Sequence, residues 1–322
     1  MLPTFEQIHA ARKAIAGIAI RTPLVRLNVP TGQDTYLKLE NLQPIGSFKI
    51  RGAAALLTSV DPAELAGGVV TASAGNMGQG AAWMAARLGV GCTVIVPSTA
   101  PAAKVAAIEA YGATVMRVTS EQWWQAFQDR GMDGVPGLFV HAFDDPMVMA
   151  GNATIGLEIA EDLPDVATVL VPWGGGGLSC GIATALRDAA PRARVFAAEV
   201  ATAAPYAASL AAGVPVTVAN TPSFVDGIGG PAVFAGMFAH AMELAIGSRV
   251  AAVEEVAAAV RLLVERAKVV AEGAGATPVA CALAAAEDGS GPVVCVVSGG
   301  MIDLATLVDL LSDRRGVAGQ VG

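Results

Sequence analysis

The chain contains the stretch TVLVPWGGGGLSCGIATALRDA at residues 168–189. It opens with an apolar, β-branched run typical of a buried strand and closes with an Ala- and Leu-rich run of helical length. Gly174, Gly175, Gly176 and Gly177 join the two runs. A simple turn needs one or two glycines, and each additional glycine costs backbone entropy on folding. Four glycines at this junction therefore favour a loop whose N–H groups bind an anion at the positive end of the helix dipole.

The alternation of strand and helix extends along nearly the whole chain. Short β-branched runs predict strands at residues 68–71, 92–97, 113–118, 138–143, 168–173, 195–200 and 292–297. Ala-rich runs between them predict helices at residues 77–88, 101–111, 120–130, 147–162, 178–190 and 253–267. Thr4 and Gln7 form a capping box that predicts one more helix near the N-terminus. Continuous apolar strands separated by helices predict parallel sheets buried on both faces, so we assign the chain to the α/β class.

Composition excludes several classes of protein. The length of 322 residues suggests about two domains, and 54% hydrophobic residues exclude a disordered chain. The net charge is −8 and the sequence holds no basic cluster, so we expect no nucleic-acid partner. Charged side chains interrupt the most apolar runs, so we expect no membrane-spanning helix. The four cysteines are dispersed, which indicates reduced thiols in a cytoplasmic protein.

A second informative stretch is LENLQPIGSFKIRGA at residues 39–53. Its Gly-Ser turn leads into a predicted helix with Lys49 in the first turn. A lysine there is unfavourable for stability, because the helix dipole is positive at this end. The same placement lowers the pKa of the amine, which suits a lysine that forms a Schiff base with a carbonyl compound. Taken alone, an exposed lysine at a helix start is the simpler interpretation.

Two further stretches follow predicted strands. The loop in TASAGNMGQG, residues 71–80, consists of small residues whose backbone amides can approach a carboxylate closely. The alternative is a strand-to-helix turn with an asparagine cap. In VVCVVSGG, residues 293–300, Ser298 stands at the carboxyl end of a buried strand, where open α/β sheets bind ligands. The alternative is a serine that caps a helix.

The order of these four motifs resembles that of fold-type II pyridoxal-phosphate enzymes, most closely the serine/threonine dehydratase group that includes serine racemase. The resemblance extends from about residue 22 to residue 311. It implies two open α/β sheet domains with pyridoxal 5′-phosphate in the cleft between them. It also implies a large cofactor-binding domain of residues 1–65 plus 147–322, a small mobile domain of residues 66–146, and a homodimer.

The resemblance further implies a role for each motif residue towards the cofactor. Lys49 would hold the cofactor as a Schiff base and act as the catalytic base, and Phe48 would pack against the cofactor ring. Asn76 would donate a hydrogen bond to the phenolic oxygen. The amides of the four glycines and of Leu178 would hold the phosphate, and Ser298 would face the pyridine nitrogen. A neutral hydroxyl there does not enforce protonation of the ring, which suits elimination better than transamination.

The implied reaction removes the α-proton and the β-hydroxyl of an amino acid and releases a 2-oxo acid and ammonia. The substrate would bind at Ser73, Ala74, Gly75, Asn76, Met77 and Phe143. Met77 stands where many relatives carry histidine, and Phe143 where serine racemase carries a polar residue. These apolar side chains predict a β-substituent larger or less polar than that of serine, with 3-phenylserine as one candidate. The alternative is that Met77 only fills space.

Other functions remain as alternatives. A racemase or a β-replacement enzyme is possible within the same family. Ala74, however, stands where serine racemase has its second base, and an alanine side chain carries no proton to transfer. Glu199 and the Ala203 carbonyl match two positions of a cation site in some relatives, but Pro205 replaces a third, so we predict no metal. Asp226-Gly227 and residues 272–275 also match family segments, without an assigned role. A non-catalytic ligand-binding module is the alternative from another class.

Overall fold

A computed structural model of the chain describes residues 1–29, 33–284 and 291–312. Within these residues ten strands form two separate sheets. The strands are β1 (Leu24–Arg26), β2 (Thr35–Leu39), β3 (Val69–Ala72), β4 (Cys92–Pro97), β5 (Thr114–Val118), β6 (Leu138–Phe139), β7 (Thr168–Pro172), β8 (Arg194–Val200), β9 (Gly247–Ala251) and β10 (Val293–Val297). The predicted α/β class is confirmed.

The helices pack around these sheets and connect most of the strands. They are α1 (Phe5–Ala14), α2 (Lys49–Ser59), α3 (Asn76–Leu88), α4 (Ala102–Glu109), α5 (Ser120–Asp129), α6 (Pro146–Asp162), α7 (Gly177–Ala189), α8 (Pro205–Ala212), α9 (Ala235–Glu243), α10 (Val253–Leu262), α11 (Gly273–Ala284) and α12 (Leu304–Ser312). In the part of the chain that the structure describes, none of these helices has the length and apolar character that crossing a membrane requires.

The larger sheet has the strand order β1-β2-β10-β7-β8-β9. Its strands run parallel, except that β1 pairs antiparallel with β2. Every residue of β7 and of β10 is buried, as expected for parallel strands covered by helices on both faces. The smaller sheet has the order β5-β4-β3-β6 and is parallel throughout. Its strands all fall between residues 69 and 139, inside the range 66–146 that we predict as a small domain.

The sheets place the predicted motifs at the carboxyl ends of four strands. The turn before Lys49 follows β2, and the loop before Asn76 follows β3. The four glycines follow β7, and Ser298 follows β10. Because β2, β10 and β7 are neighbours in the larger sheet, their carboxyl ends lie at one edge, where open α/β sheets bind ligands.

Most predicted elements are observed with ends displaced by one or two residues. The N-terminal capping box of Thr4 and Gln7 is present at α1. The predicted strand 138–143 pairs only over Leu138–Phe139, and the predicted helix 253–267 changes to a π-helical turn at Leu263–Ala267. Strand β2, which the apolar-run criterion did not select, lies next to β10 inside the larger sheet and contains the buried Lys38.

Candidate active site

Lys49 begins α2 directly after a turn that is joined to the end of β10. The Phe48 N–H donates to the Ser298 carbonyl at 3.0 Å, and the Gly300 N–H donates to the Gly46 carbonyl at 2.9 Å. These bonds tie the lysine turn and the serine turn together, although about 250 residues separate them in sequence. The predicted position of Lys49 in a first helical turn is confirmed.

The Lys49 amine is held by a backbone carbonyl. Its Nζ donates to the oxygen of Ala142 at 2.6 Å. Burial disfavours the charged ammonium and lowers the pKa of Lys49 to about 8, while the negative charge of Glu272 opposes this shift. A sizeable fraction of the amine is therefore neutral near pH 7–8, and the neutral amine is the nucleophile towards an aldehyde.

The glycine loop wraps closely around Phe143. Gly176 has a φ of +91° and is the N-cap of α7. The backbone N–H groups of the first turn of α7 therefore face the glycine loop. A β-carbon on Gly175 would lie 2.0 Å from the Phe143 ring, and one on Gly177 would lie 2.5 Å from the Phe143 carbonyl oxygen. The Ser179 hydroxyl, in the first turn of α7, is buried and has no hydrogen-bond partner among the described residues. The loop thus combines free helix-start amides with an unsatisfied hydroxyl.

The loop between β3 and α3 presents backbone groups and one amide side chain. Its Gly75 N–H donates to the Ser73 hydroxyl at 3.3 Å, and Ala74 lies between them. The cap of α3 is Gly75, so the alternative of an asparagine cap is wrong. Asn76 is the first helical residue, and its side chain instead contacts a distant part of the chain.

Met77 lies below this loop. Its side chain is only 1% exposed and belongs to a core cluster with α3 and β4 residues such as Met84 and Val94. This position favours the space-filling interpretation of the methionine over contact with a substrate.

Glu272 joins the Asn76 loop to the Ser298 turn. The Asn76 Nδ2 donates to Glu272 Oε1 at 2.9 Å, and the Glu272 N–H donates to the Gly299 carbonyl at 3.1 Å. A β-carbon on Gly299 would lie 2.7 Å from Glu272 Oε1, so a larger residue there would displace the Glu272 carboxyl group. Ser298 is 2% exposed, and α12 is capped by Asp303 rather than by Ser298, so the helix-cap alternative is wrong.

The carboxyl group of Glu272 has an unusual environment for an acid. Its side chain is 6% exposed. Burial raises the pKa of Glu272 to about 7, and the hydrogen bond from Asn76 opposes this shift. Glu272 therefore exchanges its proton close to neutral pH, within the same site as Lys49.

Phe143 belongs to an aromatic cluster beside the glycine loop. Its ring centroid lies 5.5 Å from that of Phe127, 4.7 Å from that of His141 and 5.1 Å from that of Phe234. Phe139 also contacts this cluster, with its ring centroid 6.3 Å from that of His141. An apolar wall of this kind is suited to an apolar or aromatic ligand group.

His141 supports the turn that carries Ala142 and Phe143. Its Nδ1 accepts hydrogen bonds from the Asp144 N–H at 2.8 Å and from the Phe143 N–H at 3.3 Å. Burial, and to a smaller extent the positive charge of Arg130, lower the pKa of His141 to about 4. His141 is therefore neutral at pH 7 and holds the turn in place.

Glu199 has a structural role in this conformation. Its Oε1 accepts from the Tyr206 N–H, and its Oε2 accepts from the Ala207 N–H and the Ser248 hydroxyl, each at 2.8 Å. The carboxylate therefore caps the start of α8 from outside the helix. Across the described ranges, no three His, Cys, Asp or Glu side chains are grouped so that they could hold a metal ion.

The structure thus brings four motifs of the sequence together around Lys49. Phe48 is 9% exposed and Leu178 5% exposed, and both pack in the core cluster that contains Trp173. This arrangement offers a nucleophilic amine, a helix start lined by glycines and the backbone amides of the half-buried loop of residues 73–76. Asn76, Glu272 and Ser298 add polar side chains. It is suited to a ligand that has an aldehyde, a phosphate and hydrogen-bonding ring substituents.

A family model described as "Pyridoxal-phosphate dependent enzyme" matches residues 15–299. The chain therefore belongs to the pyridoxal-phosphate dependent enzymes, and the membership predicted from the motifs is confirmed.

Two curated relatives and one solved structure show which members of this family the chain resembles. The L-threonine ammonia-lyase of Geobacter sulfurreducens is 46% identical over 280 residues, which are 86% of this chain and 69% of that protein. The L-threonine ammonia-lyase of Thermotoga maritima is 39% identical over 321 residues, which are 97% and 78% of the two chains. The structure of maize serine racemase has a TM-score of 0.89 at 29% identity and covers 96% of this chain and 97% of that one. The fold is fold-type II, and the cofactor is pyridoxal phosphate.

The site fits this cofactor by its own chemistry. The amine of lowered pKa at Lys49 suits an aldehyde, and the glycine loop at the start of α7 suits a phosphate. One buried oxygen at the glycine loop, Ser179 Oγ, has no partner within the described part of the chain. A buried polar atom without a partner costs about 1–3 kcal/mol, so an unsatisfied atom at this site is consistent with a polar ligand.

Sequence reasoning assigned no role to three groups of this site. Glu272 lies in a segment that matches the family, but no local pattern connects it to Asn76. The Ala142 carbonyl was predicted inside a strand, and its availability follows from the early end of β6 at Phe139. His141 has the sequence signature of an isolated histidine, because its partners are the backbone N–H groups of Phe143 and Asp144 rather than other side chains.

Proposed function

We propose that the chain is an ammonia-lyase that converts a β-hydroxy amino acid into a 2-oxo acid and ammonia. The observation that carries this proposal is the position of the Lys49 amine. It donates to the Ala142 carbonyl, and the next residue, Phe143, lies against the glycine loop. The Lys49 amine and the glycine loop therefore both lie beside the segment of Ala142 and Phe143. One cofactor molecule needs such an arrangement, because the amine would bind its aldehyde while the loop binds its phosphate.

The residues that would hold pyridoxal phosphate are those named by the resemblance. Lys49 would bind the aldehyde, and the amides of the four glycines and Leu178 would bind the phosphate. Phe48 would pack against the ring, Asn76 would donate to the phenolic oxygen and Ser298 would face the ring nitrogen. When bound, the cofactor supplies an electron sink for negative charge at the α-carbon of the substrate.

The protein groups would divide the remaining work between the two sides of the site. The backbone amides and the hydroxyl of the Ser73–Asn76 loop bind the substrate carboxylate. Lys49, once its amine is free, takes the α-proton, since its lowered pKa matches a general base at neutral pH. The α-proton and the β-hydroxyl are thus lost together as water. The resulting enamine tautomerises to an imine, and one water molecule hydrolyses this imine to the 2-oxo acid and ammonia.

Substrate selection is proposed to depend on the aromatic cluster around Phe143. An apolar wall favours a β-substituent such as the methyl group of threonine or the ring of 3-phenylserine over the hydrogen of serine. The named activity of the two curated relatives, towards L-threonine, is consistent with this order. Because one methyl group in an apolar pocket changes kcat/KM by about tenfold or more, serine is expected to be the poorest of the three.

A racemase is the second candidate, since the maize enzyme has a very similar fold. Racemisation needs a proton donor on the face opposite to Lys49, and Ala74 offers only a methyl group at the position where the resemblance places that donor. We therefore expect elimination to dominate. Chiral analysis of recovered serine or threonine after partial turnover tests this, and a racemic remainder would favour the racemase.

The central test compares two lysine variants. The purified enzyme is expected to absorb in the visible range, to lose this band on borohydride reduction, and to release 2-oxo acid from threonine. Lys49→Ala removes the band and the activity, whereas Lys13→Ala, at an exposed position in α1, retains both. A visible band that persists in Lys49→Ala contradicts the assignment of the reactive amine.

We also propose the division into two domains that the family resemblance implies. In that arrangement the smaller sheet belongs to a domain of residues 66–146, and its movement towards the larger domain excludes water from the site. The ion pair between Lys104 on α4 and Asp226 connects the two parts at 2.6 Å.

A further inference from the structure

Asn76 and Glu272 form a pair whose hydrogen bonding is incomplete. The Asn76 Nδ2 donates to Glu272 Oε1 at 2.9 Å, which serves an ionised carboxylate well. On the other side of the same amide, Oδ1 is buried and has no partner within the residues described. The amide therefore turns its donor towards Glu272 and leaves its acceptor unused.

This orientation is the wrong one for the proposed role of Asn76. The phenolic oxygen of pyridoxal phosphate accepts hydrogen bonds, so it needs the NH₂ group and would be repelled by Oδ1. A half-turn of the amide exchanges the two atoms at almost no change in shape. After that turn Oδ1 faces Glu272, and Glu272 has to donate, which a carboxyl group does only when it is protonated.

We propose that Glu272 is a positioning residue whose protonated form holds the Asn76 amide with its NH₂ group towards the cofactor. In its ionised form Glu272 draws the NH₂ group to itself and weakens cofactor binding. This inference rests on the proposed cofactor site and adds to it a proton that is bound together with the cofactor.

The surroundings of Glu272 are compatible with proton exchange near neutral pH. Burial is the main cause that raises its pKa to about 7. The charged groups that act on it are Asp226 from the segment after α8, Lys104 from α4 and Lys49 from α2, and the Met301 backbone N–H faces it from the turn after β10. Asp226 favours the protonated form, whereas Lys104 and Lys49 favour the ionised form.

The test measures the dissociation constant of pyridoxal phosphate for the apoenzyme between pH 6 and pH 8.5. In Glu272→Gln the amide NH₂ donates to Asn76 Oδ1 at every pH and so imitates the protonated acid. If only protonated Glu272 supports binding, the ratio of the wild-type constant to the Glu272→Gln constant rises about tenfold from pH 6 to pH 8. The titration of Lys49 differs between the two proteins, because Glu272→Gln removes a charge that favours the ammonium form; the Lys49 midpoint is therefore measured for each protein and its contribution is divided out of the ratio.

Two other variants give independent readouts. Glu272→Ala has no group to orient Asn76, so it binds the cofactor weakly over the whole range. Asp226→Asn keeps the pH dependence but moves its midpoint to lower pH, because the charge that disfavours ionisation of Glu272 is gone. The second result does not require Glu272→Gln to fold.

The outcomes separate this inference from the proposed function. If Lys49→Ala loses its visible band but the ratio stays flat with pH, the cofactor site stands and the role of Glu272 is wrong. If Asp226→Asn leaves the midpoint unchanged, the titrating group is not Glu272. If Lys49→Ala keeps the band, the site assignment and this inference both fall.

Discussion

The ε-amine of Lys49 and the carbonyl of Ala142 share a hydrogen bond of 2.6 Å across 93 residues of sequence. The carbonyl is available because β6 ends at Phe139, so Ala142 is outside the sheet. The bond holds the amine beside the glycine loop, and the same partly buried environment lowers the pKa of Lys49 to about 8. The reactivity of the lysine therefore depends on where a neighbouring strand ends.

The first prediction concerns the rate at which apoenzyme takes up the cofactor covalently. The neutral amine is the reactive form, so the rate rises with pH around a midpoint near 8 and levels off above it. In Glu272→Gln the midpoint moves to lower pH, because the charge that favours the ammonium form is removed. Growth of the visible absorbance after mixing measures this. A rate that still rises at pH 10, as for an ordinary lysine, contradicts it.

The second prediction separates two glycines of the phosphate loop. Gly175→Ala places a β-carbon against the Phe143 side chain, whereas Gly177→Ala places one against the Phe143 backbone oxygen. Both variants should lose stability and cofactor affinity. Adding Phe143→Ala should restore much of the loss in Gly175→Ala but little in Gly177→Ala, because only the side chain is removed.

Thermal unfolding and cofactor titration of the two single and two double variants measure this difference. Equal recovery in both double variants would mean that Phe143 does not press on the loop as the structure has it. No recovery in either would place the clash in the backbone alone.

The third prediction concerns substrate preference. Phe143→Ala removes the ring nearest to the glycine loop, so kcat/KM for 3-phenylserine falls relative to that for serine. An aromatic contact contributes about 0.5–1.5 kcal/mol, which corresponds to a change of about two- to tenfold in this ratio. Phe139→Ala is the control: this ring contacts His141 and packs on the apolar cluster around Phe127, whereas the atoms nearest to a β-carbon on Gly175 are those of Phe143. Serine as the preferred substrate of the wild type would contradict the proposed apolar specificity.

The sequence predicted those parts of the fold that depend on local signals. The capping box of α1 and the glycine after α3, which has a φ of +71°, are determined by a few neighbouring residues. The apolar runs of β7 and β10 are equally explicit, because both faces are buried. The sequence does not predict β2, because Lys38 interrupts its apolar run. The burial of Lys38 is explained by its ion pair with Glu158, which is distant in sequence.

The same distinction between local signals and tertiary contacts applies to the residues of the site. Lys49, Asn76, the four glycines and Ser298 stand out because small or reactive residues follow strand ends at recognisable spacings. Glu272 is 196 residues from Asn76, and its raised pKa comes from burial by the fold, which no local pattern encodes. Met77 shows the reverse case, in which an unusual residue in a motif lies in the core.

The last prediction concerns the buried ion network behind Lys49. Arg51, two residues further along α2, binds Glu40 at 2.8 Å and Glu158 at 2.7 Å, and Lys38 binds Glu158 at 2.6 Å. Removing one member leaves an unpaired charge in the interior, which costs about 3–5 kcal/mol. Arg51→Met should therefore lower the free energy of unfolding by about this amount. Arg12→Ala, which breaks an exposed pair with Glu161, should cost about 0–1 kcal/mol.

The pH dependence of this loss distinguishes charge from packing. Burial disfavours the charge of Glu40, but Arg51, together with Thr22 and Lys38, outweighs burial and lowers the pKa of Glu40 in the folded protein. The pair therefore stabilises the wild type above the ordinary pKa of a glutamate, and this contribution is lost as pH falls through the lowered value. In Arg51→Met the carboxyl group is unpaired and takes up a proton more readily. The difference between the two proteins in urea unfolding should shrink from pH 7 to pH 5, whereas a loss caused by packing alone would stay constant.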